Sequence, residues 1–264
     1  MTKANENERV KYIERITVYR DAAKSILKEE QAARSTAEGK TTEAAIKRLE
    51  LSEMMLNLAS NYIVINGISI AMQDLKDETA LNDARKAIYK SVIYLEDTVT
   101  NLIDVPFSNY EKQLAFIDPV NPVYRYQIIQ KMGLTMQLLM TAYGDNTKWK
   151  WTFVELEGRY AAVAKNIINL RDVITNSEPQ SPFYKPTVLH LRLARKLLMQ
   201  AADRYREKYE VSTSRTDDFK LAINFLSSLK RLNTLTGNND DIPAIQKKLD
   251  SWNNKLAADL NKTG

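Results

Sequence analysis

The sequence predicts an all-α protein. Apolar residues recur three and four positions apart along nearly all of its 264 residues, which is the period of an amphipathic helix. Only seven glycines and seven prolines are present, too few for the turns of a β-rich fold. No segment alternates apolar and polar residues between turn signals. We therefore expect about eight long helices in antiparallel bundles or stacked helical hairpins, elongated or bent, without a sheet.

Three long helices are predicted in the first part of the chain. Gly39, in the turn after the first helix, suits a left-handed backbone conformation, and Thr41 or Thr42 can cap the second helix. The third helix follows a break at Asp77. The predicted ranges are roughly 6–35, 42–76 and 78–104.

Residues 105–122 hold three prolines, which predicts a long connection with one short helical turn near 110–116. A second proline-rich break covers 177–186. Ser214 and Asp217 have the spacing of a capping box at the start of a later helix. The five helices predicted in this part cover roughly 123–143, 148–175, 187–210, 215–235 and 241–261.

Two short phrases occur twice. NLIDV at 101–105 resembles NLRDV at 169–173, and NPVYRY at 121–126 resembles SPFYKP at 181–186. A duplicated unit of helix, proline-rich loop and helix would explain both pairs, and so would chance similarity between amphipathic helices. The phrases are interpreted as scaffold, because a proline before a helix fixes the backbone there. The functional alternative places Tyr124 and Tyr184 on one binding surface.

The side chains needed for catalysis or metal binding are scarce. The chain has no cysteine, and His190 is its one histidine, surrounded by large apolar residues. The glycines stand singly, so there is no phosphate-binding loop and no nucleophile elbow. We therefore expect no enzymatic activity, no cofactor and no metal site.

The charge and hydropathy of the chain limit its partners. Lys and Arg number 38 against 33 Asp and Glu, a net charge of +5 that is spread along the chain. No basic block stands out, so nucleic acid is not the expected partner. No run reaches the roughly 18 apolar residues of a membrane span. Other proteins are the expected partners.

Aromatic residues beside the proline-rich connections and at one helix start are the predicted contact residues, because loops can display such side chains to a partner. The chain is predicted to form an arm of long helices over 1–105 and a helical bundle over 106–264, with one continuous domain as the alternative. The residues predicted to contact other proteins are Phe107, Tyr110, Trp149, Trp151, Phe183 and Tyr184.

The chain as a whole, with long cysteine-free helices broken by IDPVNPVYRY and SEPQSPFYKP, resembles the flagellar-coiling (filament sheath) proteins of spirochaetes. The resemblance implies a structural protein that contacts flagellar filament or sheath subunits in the periplasm. No functional residues of that family can be assigned to positions of this sequence. A periplasmic location requires that Met1 replaces a signal peptide, and the cytoplasm is expected otherwise. The alternatives are a helical adaptor or regulator that binds a partner peptide, and a protein that binds nucleic acid or a membrane surface.

Overall fold

The computed structural model describes the backbone of residues 3–263 and the side chains of residues 7–261. Over this range the chain forms ten α-helices and no strand, which confirms the all-α class. The helices are α1 (Lys3–Ala33), α2 (Thr42–Gln73), α3 (Glu78–Thr98), α4 (Glu111–Leu114), α5 (Pro122–Tyr143), α6 (Lys150–Asn166), α7 (Val173–Asn176), α8 (Tyr184–Lys208), α9 (Thr216–Leu235) and α10 (Ile242–Thr263).

Helix α6 ends at Asn166, nine residues before its predicted end near 175. The amide of Asn166 donates to the backbone oxygens of Thr100 and Leu102, and the side-chain oxygen of Asn169 accepts from the backbone N–H of Arg171. The local bond to Asn169 offers the backbone an alternative to continuing the helix. The apolar period nevertheless continues through buried Ile167 and Ile168, and for that reason the prediction ran past the true end.

The predicted capping box at Ser214 and Asp217 is wrong. Ser214 has φ of 50°, a left-handed conformation that ends a π-helical turn over Tyr209–Thr213. The N-cap of α9 is Arg215, which makes no side-chain capping bond. An N-cap residue needs an extended backbone, and Ser214 lacks one because it closes the preceding turn.

The contacts within the chain divide it into two compact units. Unit 1 comprises the chain up to Thr98 together with Ile128–Lys148. Unit 2 comprises Val99–Gln127 and the chain from Trp149 onward. The predicted division at residue 105 stays a prediction.

The turn between α1 and α2 in unit 1 follows the sequence signals. Gly39 has φ of 94°, and the hydroxyl of Thr41 accepts from the N–H of Ala44 at 3.2 Å, so both expectations are confirmed. Arg48 then donates from Nη1 to the backbone oxygens of Ala37 at 2.7 Å and Gly39 at 3.0 Å. These bonds hold the turn against the first turns of α2.

The interior of unit 1 also contains polar contacts. The hydroxyls of Ser52 on α2 and Ser91 on α3 lie 2.8 Å apart. Buried Glu30 of α1 accepts from the Tyr94 hydroxyl and lies 2.7 Å from Lys90 Nζ. A buried carboxylate needs such partners, because an unpaired charge inside a protein is costly.

Helix α2 is long and apolar enough to cross a membrane by length and composition, the only helix in the described part of the chain that is. Its most apolar stretch has a mean hydropathy of 1.3, and 39% of that stretch is buried. In unit 1 this helix packs against α1 and α3. A core helix of this kind meets the same criterion as a membrane span.

Aromatic rings form much of the core of unit 2. Tyr209 stacks on Phe219 at 4.8 Å between centroids, and Tyr205 stacks on Phe225 at 5.6 Å. Gly158 of α6 lies directly against the second pair: a Cβ there would lie 2.6 Å from Tyr205 Cε2. The absence of a side chain at residue 158 therefore lets α6 pack closely on α8 and α9.

Candidate functional site

The six residues predicted to contact partners all lie in unit 2. Tyr110 is buried and packs edge-to-face on half-buried Phe107, with 5.3 Å between the ring centroids. The Nζ atom of Lys165 lies 5.5 Å from the centre of the Tyr110 ring. Tyr110 therefore packs within the unit and has little surface to offer a partner, while part of Phe107 remains accessible.

The other four residues lie at helix starts. Trp149 and Trp151 are half-buried at the beginning of α6, and Trp151 packs on the core of unit 2 beneath Lys150 Nζ, which is 4.7 Å above its ring. Phe183, half-buried, is the N-cap residue of α8 and lines a cavity, and Tyr184 beside it is exposed. Their role in partner contact stays a prediction.

This cavity has a volume of about 390 Å³ and lies where the two copies of the repeated phrase meet. The first phrase supplies the start of α5, the second supplies the start of α8, and residues 167–176 after α6 close the remaining side. The lining residues are Asp118, Pro119, Val120, Asn121, Pro122, Arg125, Ile167, Ile168, Asn169, Asp172, Val173, Thr175, Asn176, Phe183, Thr187 and His190.

Arg125 is a buried cation in the wall of this cavity. Its Nη2 donates to Ile117 O at 2.6 Å, its Nε to Val120 O at 2.9 Å, and its Nη1 to Ile167 O at 3.3 Å. The nearest carboxylate oxygen, Asp118 Oδ1, is 3.8 Å from Nη2. Burial lowers the pKa of Arg125, and the charge of Asp118 partly offsets this. Arg125 thus fastens the connection before α5 to the end of α6.

His190 lies buried on α8, and its Nε2 is 2.9 Å from the backbone oxygen of Ala164. Burial lowers the pKa of His190 to about 4, and the Arg125 charge lowers it further, against the opposing effect of the Ala164 hydrogen bond. At neutral pH the ring is therefore uncharged. Because a carbonyl can only accept, Nε2 carries the proton and Nδ1 is left as an acceptor.

Thr187 lies one turn before His190 on the same face of α8 and is 7% exposed. Among the side chains of residues 7–261, none forms a hydrogen bond with the Thr187 hydroxyl or with His190 Nδ1. Both side chains line the cavity. Neither atom belongs to the fully buried polar atoms that lack a partner, so both are accessible to solvent, and water or a ligand in the cavity can bond them.

Acidic residues stand at the opening of the cavity. Asn169 donates from Nδ2 to Asp172 Oδ2 at 2.7 Å and lies 3.5 Å from Asp118 Oδ1, so its amide bridges the two carboxylates. Asp118 and Asp172 are exposed. No group of three or more metal-ligating side chains exists within the described residues. The opening therefore presents hydrogen-bond acceptors without a metal-binding cluster.

The sequence prediction found Phe183 and missed Arg125, Thr187 and His190. The signal that could have found them is the repeated phrase, since each copy contributes to the cavity. The residues that line it are Asn121, Pro122 and Arg125 from the first copy, and Phe183 from the second. Thr187 and His190 follow on the same helix, whereas Tyr124 and Tyr184, the pair that suggested a binding surface, are not in the lining.

A second surface of interest lies in unit 1, on the part of α5 from Ile128 onward. Its exposed residues between 130 and 141 lie within an arc of about 100° around the helix axis. None of them carries a charge, although 27% of the chain is charged. They are Gln130, Leu134, Gln137, Leu138 and Thr141, here called the α5 face. Lys131, at its edge, is paired with Glu53 of α2 at 2.8 Å.

Comparison with known proteins gives one match. A family model, that of the TP0443 family, covers residues 8–260. No curated protein and no solved structure matches the chain. The family is of the spirochaete (Treponema) type, which agrees with the resemblance to spirochaete proteins. No function is named for the family. Because the match spans nearly the whole sequence, the chain belongs to the TP0443 family.

Proposed function

We propose that this is a non-enzymatic structural or assembly protein that works by contact with other proteins, and that its setting is the filament sheath of the spirochaete periplasmic flagellum. The observation that carries the proposal is the α5 face. Leu134 is 63% exposed and Leu138, one turn further on, is 46% exposed. Neutral glutamines and a threonine surround them.

A surface of this kind suits a protein partner. The centres of protein interfaces are depleted in charged residues, and paired leucines on one helical face are typical anchors for a partner helix. Phosphate groups, whether of nucleic acid or of lipid, are bound by Lys and Arg, which this face does not contain. The α5 face therefore favours a protein over nucleic acid or an anionic membrane.

The proposed location at the flagellum is supported by the family and by the resemblance, and not by the α5 face. The chain belongs to a spirochaete-type family, and its long cysteine-free helices with proline-rich breaks resemble the filament sheath proteins. The partner would then be a filament or sheath subunit in the periplasm. A subunit that coats a filament needs lateral contacts with its neighbours, and a charge-free helical face can supply them.

Co-sedimentation with purified spirochaete flagellar filaments tests both parts of the proposal. We expect the wild-type protein to pellet with filaments and the double variant Leu134→Glu, Leu138→Glu to remain in the supernatant, because two carboxylates would be buried without partners. Leu235→Glu is the matched control, since Leu235 is 52% exposed at the end of α9, in unit 2.

Two results would contradict the proposal separately. If the wild-type protein does not pellet with filaments, the flagellar setting is wrong. If wild-type protein and double variant pellet equally, the α5 face is not the contact surface. Circular dichroism of the double variant should match wild type, because both leucines are exposed.

A further inference from the structure

We infer that the cavity between the starts of α5 and α8 is a binding site for a small sugar, a neutral polyhydroxyl ring of one or two units. The inference rests on two largely buried side chains that line the cavity, Thr187 and His190, whose Oγ1 and Nδ1 atoms have no hydrogen-bond partner among the described residues, and on the acceptors at the opening. It is independent of the proposed filament contact, which involves a different surface in unit 1.

The inner wall of the cavity selects a hydroxyl group. His190 Nδ1 can only accept a hydrogen bond, because Nε2 holds the proton against Ala164 O. The Thr187 hydroxyl can donate or accept. A positively charged donor is opposed at this point by the Arg125 guanidinium, whose charge acts on His190. An uncharged hydroxyl can donate to His190 and exchange a hydrogen bond with Thr187 at the same time.

The opening of the cavity selects against anions. Asp118 and Asp172 stand there with the Asn169 amide between them. One arginine and two aspartates line the cavity while His190 is neutral, so the local charge is negative. Carboxylate and amide oxygens accept from neighbouring hydroxyls, which a sugar presents on adjacent carbons. A phosphate or carboxylate ligand would meet repulsion instead.

Apolar side chains also line the cavity, which suits the carbon–hydrogen face of a sugar ring. Ile168 and Val173 are buried, and Phe183 is also in the lining. Small-molecule sites combine such apolar walls with a few placed polar groups. A volume of about 390 Å³ accommodates one or two sugar rings and is much larger than one water molecule.

The test is isothermal titration calorimetry of the full chain at neutral pH. The sugars are glucose, galactose, mannose and N-acetylglucosamine, with leucine and putrescine as the amino-acid and amine comparators, each to about 20 mM so that weak binding is detected. We expect at least one sugar to bind and neither comparator to do so. Binding of a comparator in place of every sugar overturns the inference, and so does the absence of heat with all four sugars.

Thr187→Val locates the site. The variant keeps the shape of the side chain and removes the hydroxyl, and it should weaken sugar binding by about fivefold to tenfold through the lost hydrogen bond. Its thermal midpoint should equal or exceed that of wild type, because no protein partner is lost. The control is Thr135→Val, a buried threonine in unit 1 whose hydroxyl donates to Lys131 O at 2.8 Å.

The control should bind sugar as wild type does. Unchanged binding by Thr187→Val would overturn the assignment to this cavity. Phe183→Ala is a second variant at a half-buried position, so it removes the ring without opening the core. It should also weaken binding, and unchanged affinity in both variants would likewise place the sugar elsewhere.

Discussion

Acidification should destabilise the protein through His190, its one histidine. The ordinary pKa of 6.5 applies in the unfolded chain, and burial lowers the pKa to about 4 in the folded protein. Between these values the unfolded state binds a proton that the folded state does not bind. The contribution of neutral His190 to the free energy of unfolding is therefore fully present above pH 6.5 and is lost as the pH falls toward 4.

The magnitude follows from the two pKa values. Between pH 7.5 and 5.0, the proton taken up by the unfolded chain should lower the free energy of unfolding by about 2 kcal/mol. The surroundings explain why the folded ring stays neutral. The Ala164 carbonyl is its one hydrogen-bond partner among the described residues, the Tyr126 ring lies 5.6 Å away, and Arg125 opposes a second positive charge.

Proton NMR of a chain without a histidine tag measures this directly, because a single imidazole gives a single set of ring signals. The expected titration midpoint is about 4 in the folded protein. Urea unfolding at pH 7.5 and 5.0, compared between wild type and His190→Gln, should show a loss about 2 kcal/mol larger in wild type. Carboxylates titrate in both proteins, so their effect cancels in the comparison.

A folded-state midpoint near 6.5 would refute the reasoning, since it would mean that burial does not disfavour the charged form of the ring. An equal pH dependence of stability in wild type and His190→Gln would refute it as well. Either result would also remove the neutral Nδ1 acceptor from the wall of the cavity at mildly acidic pH.

Three other substitutions test the packing and the buried polar contacts. Gly158→Ala should cost about 1–3 kcal/mol in urea unfolding, because its Cβ would lie 2.6 Å from Tyr205 Cε2. Gly67→Ala is the matched control and should stabilise by about 0.5–1 kcal/mol, since Gly67 is within α2 and its Cβ meets nothing within 4 Å. Glu30→Ala should cost about 1–3 kcal/mol, because it leaves the buried Tyr94 hydroxyl without its acceptor. An unchanged free energy of unfolding would show that water replaces the carboxylate.

The local features of the fold were predictable from sequence. The apolar period predicted the long helices, and Gly39 and Thr41 behave as their residue types suggest, because a positive φ and a capping bond depend on a few neighbouring residues. The end of α6 was not predictable in this way. Asn166 is the last residue of the helix, and its side-chain amide donates to oxygens of Thr100 and Leu102, more than sixty residues earlier in the chain.

The cavity was decided by tertiary structure. His190 lies among apolar residues in the sequence, which is more typical of a packed or surface histidine than of a functional one. Its partner Ala164 is 26 residues away, and the Arg125 contact to Ile167 spans 42 residues. The spacing of apolar residues predicts which side of a helix is buried. It does not predict which helix N-termini lie next to each other. The pattern of residues therefore predicts the helices and their buried sides, whereas the pairing of the α5 and α8 starts places the polar groups around a common cavity.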